Sequence, residues 1–201
     1  MNLSQPLLDV VPGVRGQLLY ALARSEVPVT RRRLASMAGV APGNANSILD
    51  DLVHSGLCNE TAAGRSLMVS LNRKNLAAEQ VLALTALRAT LINRLRAELK
   101  RWKGLKAAWL FGSVARGDSN EDSDIDLAMV FVDPESEVST RNISELQQLL
   151  REWTGSEVQI AEYSEAAWRQ LVSAQNPLVG QIRQDGIALT SSSTGLLTAS
   201  R

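Results

Sequence analysis

The stretch that decides the fold of the C-terminal half runs from residue 107 to residue 131 and reads AAWLFGSVARGDSNEDSDIDLAMVF. It begins with an apolar segment that ends in Gly112-Ser113, and it continues through a polar, acidic loop. A second apolar segment then opens with Asp124-Ile125-Asp126. Short apolar runs bounded by turn residues are typical of buried strands. The pattern therefore predicts two strands, one leading into a Gly-Ser turn and one beginning with an Asp-x-Asp pair.

The residues of these two motifs suit a nucleoside triphosphate and its metal. Gly112 allows the backbone to approach phosphates closely, and Ser113 offers a hydroxyl and backbone N–H groups to phosphate oxygens. Asp124 and Asp126 lie two residues apart on a strand, so their carboxylates point to the same face. Two such carboxylates can hold Mg²⁺ or Mn²⁺, which completes its coordination with water and substrate phosphates. We therefore expect Asp124 and Asp126 to be metal ligands.

Gly-Ser followed after ten residues by Asp-x-Asp resembles the signature of the DNA polymerase β-type nucleotidyltransferases, particularly their minimal branch; the tracts FGSVARGD and SDIDLAMV match as they stand. The resemblance covers about residues 105–190 and implies a mixed β-sheet with flanking helices. It implies magnesium-dependent transfer of a nucleoside monophosphate from a nucleoside triphosphate, with ATP as the expected substrate, to a hydroxyl acceptor. Asp124 and Asp126 would be catalytic, Gly112 and Ser113 would bind the nucleotide, and Arg116 would add positive charge.

The third carboxylate of that family usually lies on a later strand, and the matching position here is Gln159, within the tract GSEVQIAEY of residues 155–163. An amide neither carries charge nor acts as a base near neutral pH. Glu157 alternates onto the same strand face, about 6.6 Å away, and could replace the missing metal ligand if the strand were shifted or bulged. Otherwise the chain transfers nucleotides slowly, with a base supplied by the substrate, or binds them without transfer.

The N-terminal part shows the pattern of three helices followed by a hairpin. Helical spacing over residues 14–23 is followed by a second helix capped by Thr30 and a third that ends before Gly56, and two short strands flank a turn at residues 62–65. About residues 13–75 resemble the winged helix-turn-helix domains of bacterial regulators through the tract TRRRLASMAGVAPGNANSILDDLVHSGL. The resemblance implies contact with DNA or RNA, and a protein-docking or dimerising module is the alternative.

The charges around the third helix favour weak rather than sequence-selective nucleic-acid binding. Its expected outward face has no Lys or Arg that could bond to a base edge or a phosphate, since it presents Gly43, Ser47, Asp50 and Asp51. Cations flank the helix instead. Those we expect to contact phosphates weakly are Arg31, Arg32, Arg33 and Arg65.

The stretch from Leu76 to Trp102 contains neither Pro nor Gly and is rich in Ala, Leu, Arg and Glu, which predicts one helix of about 40 Å. A leucine stripe lines one side, and Arg88 is among the charges on the remainder. The stripe favours packing against the protein's own core, with homodimerisation as the alternative.

Composition excludes several classes of protein. No stretch reaches the roughly 18 to 20 apolar residues of a membrane span, and the N-terminus lacks the basic-then-apolar order of a signal peptide. The single Cys58 cannot form an internal disulfide, and we expect neither a zinc cluster nor a Cys/His catalytic pair around Cys58 and the single His54. We therefore expect a soluble cytoplasmic protein that makes no membrane contact.

The net charge of zero hides two unlike halves, because residues 1–106 contain 15 basic and 7 acidic residues whereas residues 107–201 contain 6 and 14. A basic part could face a polyanion and an acidic part could hold divalent cations. The alternative is an uneven distribution of solvated surface charge.

Together these observations predict an α+β protein with four segments. They are a winged helix-turn-helix domain at 1–75, a connecting helix at 76–104, a nucleotidyltransferase domain at 105–190 and a disordered, Ser-rich tail at 191–201. The leading hypothesis for function is nucleotide transfer to a protein or nucleic-acid hydroxyl, in a regulatory or antitoxin-like role. The alternatives are a nucleotide-sensing DNA-binding regulator that has lost turnover, and an adaptor whose two domains only contact proteins.

Overall fold

The computed structural model describes residues 1–197 and has an α+β architecture with two sheets. The chain forms two compact units. One is Gln5–Leu87, and the other combines Met1–Ser4 with the chain from Arg88 onward. The boundary at Leu87 falls within the stretch predicted as a connecting helix.

The unit Gln5–Leu87 consists of a helical core and a small antiparallel sheet. Its elements are α1 (Leu7–Val10), α2 (Gly13–Ala23), β1 (Val29–Thr30), α3 (Arg31–Met37), α4 (Pro42–His54), β2 (Cys58–Ala63), β3 (Ser66–Leu71) and α5 (Leu76–Thr85). The sheet has the order β1-β3-β2. The three predicted helices correspond to α2, α3 and α4, and the Thr30 hydroxyl caps α3 by accepting from the Arg33 backbone N–H. The hairpin is also present, but β1 was not predicted because two residues are too few to show a strand period.

The other unit contains a four-stranded mixed sheet covered by helices on both faces. Its elements are α6 (Leu87–Leu99), β4 (Leu105–Phe111), α7 (Gly112–Arg116), β5 (Ile125–Phe131), α8 (Glu137–Thr154), β6 (Val158–Ser164), α9 (Glu165–Ser173), α10 (Pro177–Asp185), β7 (Ile187–Ala188) and a 3-10 turn at Gly195–Leu197. The sheet order is β6-β5-β4-β7. The pair β5–β6 is parallel, whereas β4 is antiparallel to both β5 and β7. This confirms the predicted mixed sheet.

The two faces of this sheet bury different sets of side chains. Alternating residues of β5 separate them, because Leu127 packs into one core with α6 and α8 while Ala128 packs into another with α9 and α10. In the second core, the rings of Trp109 and Trp168 stack with their centroids 4.8 Å apart. Both faces of β5 are therefore covered from Leu127 onward, and Asp126 is left half-buried at the start of the strand.

The prediction of one continuous helix from 76 to 102 is wrong. Two helices, α5 and α6, are separated at Ala86, whose φ of −93° and ψ of 7° leave the helical region. The Thr85 hydroxyl donates to the Val81 carbonyl oxygen at 2.8 Å, and such bonds bend helices. The apolar residues of the two helices also belong to different cores, with Val81 in one unit and Leu95 in the other. Uniform composition concealed this change of packing partner.

The prediction of a disordered tail is wrong for residues 191–197, and residues 198–201 lie outside the described part of the chain. Ser193 is fully buried, where its hydroxyl donates to the Ala108 carbonyl oxygen at 2.9 Å and accepts from the Ala108 N–H at 3.1 Å. The Ser192 hydroxyl donates to the Lys106 carbonyl oxygen. These hydroxyls give hydrogen-bond partners to backbone groups at the edge of β4, beyond the two residues that pair with β7. A polar composition that usually indicates disorder therefore serves here to complete a sheet edge.

Within residues 1–197, no helix is long and apolar enough to cross a membrane.

The reactivity of the Cys58 thiol reports whether the Gln5–Leu87 unit is folded around it. It is 2% exposed, and burial raises the pKa of its thiol to about 11. Because the thiolate is the reactive form, we expect the native protein to resist alkylation by iodoacetamide at neutral pH and to react once denatured. Intact-mass spectrometry measures this directly. Rapid alkylation without denaturant would show instead that the first residue of β2 opens easily to solvent.

Candidate functional site

The Gly-Ser turn and the Asp-x-Asp pair meet at one end of the mixed sheet. Phe111, the last residue of β4, pairs with Asp126 of β5, and Gly112 follows directly. Asp124 lies one residue before β5 begins. On the other side, Asp126 pairs in parallel register with Gln159 of β6. Neighbouring strands thus bring together motifs that are separated along the chain.

Gly112 provides the space that the Asp126 carboxylate occupies. Its φ of +71° is in the left-handed region, and a Cβ built on it would lie 2.1 Å from the Asp126 Oδ2. Any side chain at this position would therefore displace the carboxylate or the turn. The sequence predicted that glycine would allow the backbone to approach phosphates, but it did not indicate this contact with Asp126.

The electrostatics of the site favour a bound cation. Burial raises the pKa of the half-buried Asp126 carboxyl, the negative charge of Asp124 raises it further, and the Arg116 guanidinium acts in the opposite direction. Arg116 Nε also donates to Asp118 Oδ2 at 3.1 Å, so its charge is shared with that carboxylate. The negative charges of Asp124 and Asp126 repel each other, and a divalent cation bound between such carboxylates would offset that repulsion.

The donor set fits a metal that takes only part of its coordination from protein. Within residues 1–197, no cluster of three or more His, Cys, Asp or Glu side chains is arranged to hold a metal ion. Asp124 and Asp126 could supply two hard oxygen ligands, which suits Mg²⁺ or Mn²⁺ completed by water and phosphate oxygens. The site is therefore compatible with a metal that arrives with a nucleotide.

Gln159 lies where the sequence analysis expected it. Its Nε2 donates to Asp124 Oδ2 at 3.0 Å, which places the amide on the face of the sheet that carries the acidic pair. Val158 and Ile160 pack into the core on the opposite face. The strand that would carry a third carboxylate thus presents an amide that orients Asp124.

Glu157 is not brought to the acidic pair. Its carboxylate accepts from Arg151 Nε and Nη2 at 3.2 and 2.8 Å, in an exposed ion pair. Strands β5 and β6 pair continuously from Ile125 and Val158 onward, without a bulge. The shifted strand that Glu157 needed in order to replace the third ligand is therefore not present.

Arg88 is a residue of this region that sequence reasoning missed. Its Nε donates to the Val114 carbonyl oxygen at 2.6 Å, and its Nη2 donates to the Ala115 carbonyl oxygen. These partners lie on α7, which begins at Gly112. No local pattern could have indicated the contact, because 26 and 27 residues separate Arg88 from its partners.

The cations proposed for nucleic-acid contact divide into two groups. Arg31 is partly buried, and it forms ion pairs with Asp50 of α4 at 2.7 Å and with Glu60 of β2. These carboxylates raise its pKa against the opposing effect of burial, with Glu60 contributing most. Arg31 therefore stabilises the unit and is not available to phosphates in this arrangement. Arg32, Arg33 and Arg65 are exposed, as are the four residues predicted on the outer face of α4.

Replacing Gly112 by alanine should disrupt the acidic pair beyond its effect on the backbone. A left-handed non-glycine residue costs about 1–2 kcal/mol, and the added Cβ would also meet the Asp126 carboxylate. Gly104→Ala is the matched control, because Gly104 has a φ of +86° and no heavy atom lies within 4 Å of its built Cβ. We expect denaturant unfolding to show a loss of stability in both variants, and calorimetry to show weaker Mg²⁺-ATP binding in Gly112→Ala alone. Equal binding by the two variants would contradict the role given to the contact.

Comparison with known proteins gives one family match. The model of the nucleotidyltransferase domain family matches residues 92–179. No curated protein matches the chain. A toxin-antitoxin structure with AMP-PNP is similar at 25% identity and a TM-score of 0.38, covering 52% of this chain and 77% of that one. A mutant of the MntA-HpeT toxin-antitoxin is similar at the same identity and TM-score, covering 53% and 79%. The stretch that matches this family model contains the assembled Gly-Ser and Asp-x-Asp residues and Gln159.

Proposed function

We propose that the protein is a Mg²⁺- or Mn²⁺-dependent transferase that moves a nucleoside monophosphate from a nucleoside triphosphate, with ATP expected, to a hydroxyl on a protein or nucleic acid. Its role would be regulatory or antitoxin-like. The observation that carries the proposal is the packing of the Asp126 carboxylate against Gly112, beside Asp124, inside the matched domain. That contact joins the expected metal ligands to the expected phosphate-binding turn.

Each residue of the site has a separate role in this proposal. Gly112 and Ser113 would bind the outer phosphates, and Arg116 would add positive charge near them. Asp124 and Asp126 would hold the divalent metal, which supplies charge neutralisation at the phosphates when bound. Burial raises the pKa of Asp126 most and the charge of Asp124 raises it further, and a cation would offset both effects by stabilising the charged carboxylate.

The proposal implies slow transfer. Gln159 pairs with Asp126 in parallel register, where the family resemblance expects a carboxylate that accepts the proton of the attacking hydroxyl. A neutral amide does not act as a base. The nearby Glu157 is engaged by Arg151. The proton of the attacking hydroxyl must therefore be transferred to the substrate or to solvent.

Labelled nucleotides test the proposal. The protein is incubated with each nucleoside triphosphate labelled at the α-phosphate or the γ-phosphate, with Mg²⁺, in the presence and absence of cell extract. We expect macromolecules to be labelled from the α-position only, with release of pyrophosphate, and Asp126→Asn to abolish labelling. Label transferred from the γ-position, or labelling that survives Asp126→Asn, would contradict the proposed reaction.

A second candidate function, a nucleotide-sensing DNA-binding regulator, is favoured by the amide of Gln159 bonded to Asp124. In this version, Gln5–Leu87 is a winged helix in which α2, α3 and α4 precede the β2–β3 hairpin. Exposed Arg32, Arg33 and Arg65 would contact phosphates, while the polar outer face of α4 would read little sequence. A protein-docking or dimerising unit is the alternative for the same fold.

The salt dependence of DNA binding distinguishes a DNA-binding winged helix from a protein-docking or dimerising unit. If the winged helix binds DNA, we expect weak, salt-sensitive and largely sequence-independent association, and replacement of Arg32, Arg33 and Arg65 by alanine should flatten the salt dependence. A charge-matched control replaces Arg141, Arg169 and Arg183 in the other unit. Arg31 is left intact because its ion pairs stabilise the fold. Absence of DNA binding at low salt would favour the protein-docking alternative.

A further inference from the structure

The turn and loop that carry the candidate site are held by two side chains from distant parts of the sequence. Gln5–Leu87 forms one unit, so Ser4 and Arg88 are the residues that flank it in the chain, and both belong to the other unit. Each of them forms hydrogen bonds with the segment between β4 and β5. That segment begins with Gly112 and ends with Asp124, the first residue of the acidic pair.

Arg88 fixes the start of the segment. Helix α7 has five residues, so its last carbonyl groups have no partners within the helix. The planar guanidinium of Arg88 donates to two of them, the carbonyl oxygens of Val114 and Ala115. One rigid side chain with several donors can satisfy both acceptors, which an amine such as lysine does less well. Because Gly112 and Ser113 open the same helical turn, fixing its end also fixes their position.

Ser4 fixes the middle of the segment. Its neighbour Leu3 is 2% exposed and belongs to the same core as Val114 and Ala115. The hydroxyls of Ser4 and Ser119 are hydrogen-bonded at 2.8 Å, and Ser119 is 5% exposed. Ser4, which is anchored by the buried Leu3, thus holds the buried Ser119 hydroxyl of the segment in place.

We propose that Arg88 and Ser4 are positioning residues that hold the segment from Gly112 to Asp124 in the geometry required for nucleotide binding. Nucleotide affinity then depends on the two residues that flank Gln5–Leu87, although neither belongs to the acidic pair or the Gly-Ser turn. The inference about affinity rests on the proposed function. The inference about the segment rests on the hydrogen bonds alone.

Hydrogen exchange in the nucleotide-free protein tests the positioning role. We expect Arg88→Gln to speed amide exchange across residues 112–124 at least fivefold, and Arg88→Lys to have a smaller effect. Ser4→Ala should speed exchange mainly around Ser119. Arg96→Gln is the matched control for Arg88, because Arg96 lies on the same helix and its guanidinium donates to the Ala188 carbonyl oxygen instead. Ser144→Ala, which removes an exposed hydroxyl bonded to the Thr140 carbonyl oxygen, is the control for Ser4.

Calorimetry tests whether nucleotide affinity depends on these two residues. It measures the binding of a non-hydrolysable ATP analogue with Mg²⁺ to the same variants. We expect about a tenfold higher Kd for Arg88→Gln, as for the loss of charged hydrogen bonds to buried acceptors, and no change for Arg96→Gln. Exchange across residues 112–124 equal to that of the parent would overturn the positioning role. Faster exchange with unchanged Kd would overturn its link to the nucleotide. A parent protein that binds no nucleotide would overturn the proposed function, and the exchange result would still decide the role of Arg88 and Ser4.

Discussion

Replacing Gln159 by aspartate should raise nucleotide transfer to a suitable acceptor by about 10²–10⁴-fold, the range typical of general-base catalysis. Position 159 pairs with Asp126 in parallel register, and its side chain already reaches Asp124. A carboxylate there would add a metal ligand and a proton acceptor at once. It would also place a third negative charge beside two others, so we expect Gln159→Asp to be less stable than the parent without metal and to regain stability with Mg²⁺.

Initial rates with α-labelled nucleotide measure the gain in Gln159→Asp. Gln159→Ala serves as one control, because it removes the hydrogen bond to Asp124 without adding a base. Glu157→Gln serves as another and should change the rate little, since Glu157 is paired with Arg151. A parent that transfers nucleotide rapidly, gains nothing from Gln159→Asp and is crippled by Glu157→Gln would make Glu157 the third carboxylate and contradict the assignment.

Removing either member of the acidic pair should abolish the metal-dependent part of nucleotide binding. In Asp124→Asn and Asp126→Asn the amide keeps the shape of the side chain but not its charge, so triphosphate and metal lose a compensating partner. We expect affinity for a non-hydrolysable ATP analogue with Mg²⁺ to fall at least tenfold in each variant, equivalent to about 1.4 kcal/mol. Calorimetry with and without Mg²⁺ separates the metal-dependent part from the remainder.

Asp122→Asn is the matched control, because Asp122 is an exposed residue of the same acidic loop that lies outside the strand pairing. It should bind nucleotide as the parent does. If all three variants bound equally well, the general negative charge of the loop would be sufficient and Asp124 and Asp126 would have no special role. If only the control lost affinity, the site would lie earlier in the loop, at Asp122.

The parts of the fold that the sequence predicted are those with a strong local pattern. Apolar runs on either side of Gly-Ser and Asp-x-Asp indicated β4 and β5, and helical spacing with the Thr30 cap indicated α2 to α4. The position of Gln159 beside the acidic pair was expected from the family resemblance, and the alternation of side chains along a strand then put its amide on the face of that pair.

Features that depend on contacts between distant segments were not predicted. Arg88 looked like one of several helix surface charges, and its role appears only when α7 is packed beside it. Arg31 looked free for phosphates because nothing local shows that Asp50 and Glu60 converge on it. Ser193 lies in a sequence of disordered composition, yet it is buried against β4. In each case a polar side chain satisfies groups that the fold would otherwise leave unpaired, and composition does not record such partners.

Paramagnetic NMR with Mn²⁺ tests most directly whether the acidic pair and the Gly-Ser turn form one metal and nucleotide site. A substoichiometric amount of Mn²⁺ is added to isotope-labelled protein in the presence of a non-hydrolysable ATP analogue. The broadening of each backbone amide signal is then recorded. We expect the strongest broadening at Asp124–Asp126, at Gly112–Ser113 and at the start of β6 around Gln159. We also expect the effect to be lost in Asp126→Asn. Broadening centred on other residues, or broadening that survives Asp126→Asn unchanged, would contradict the single site.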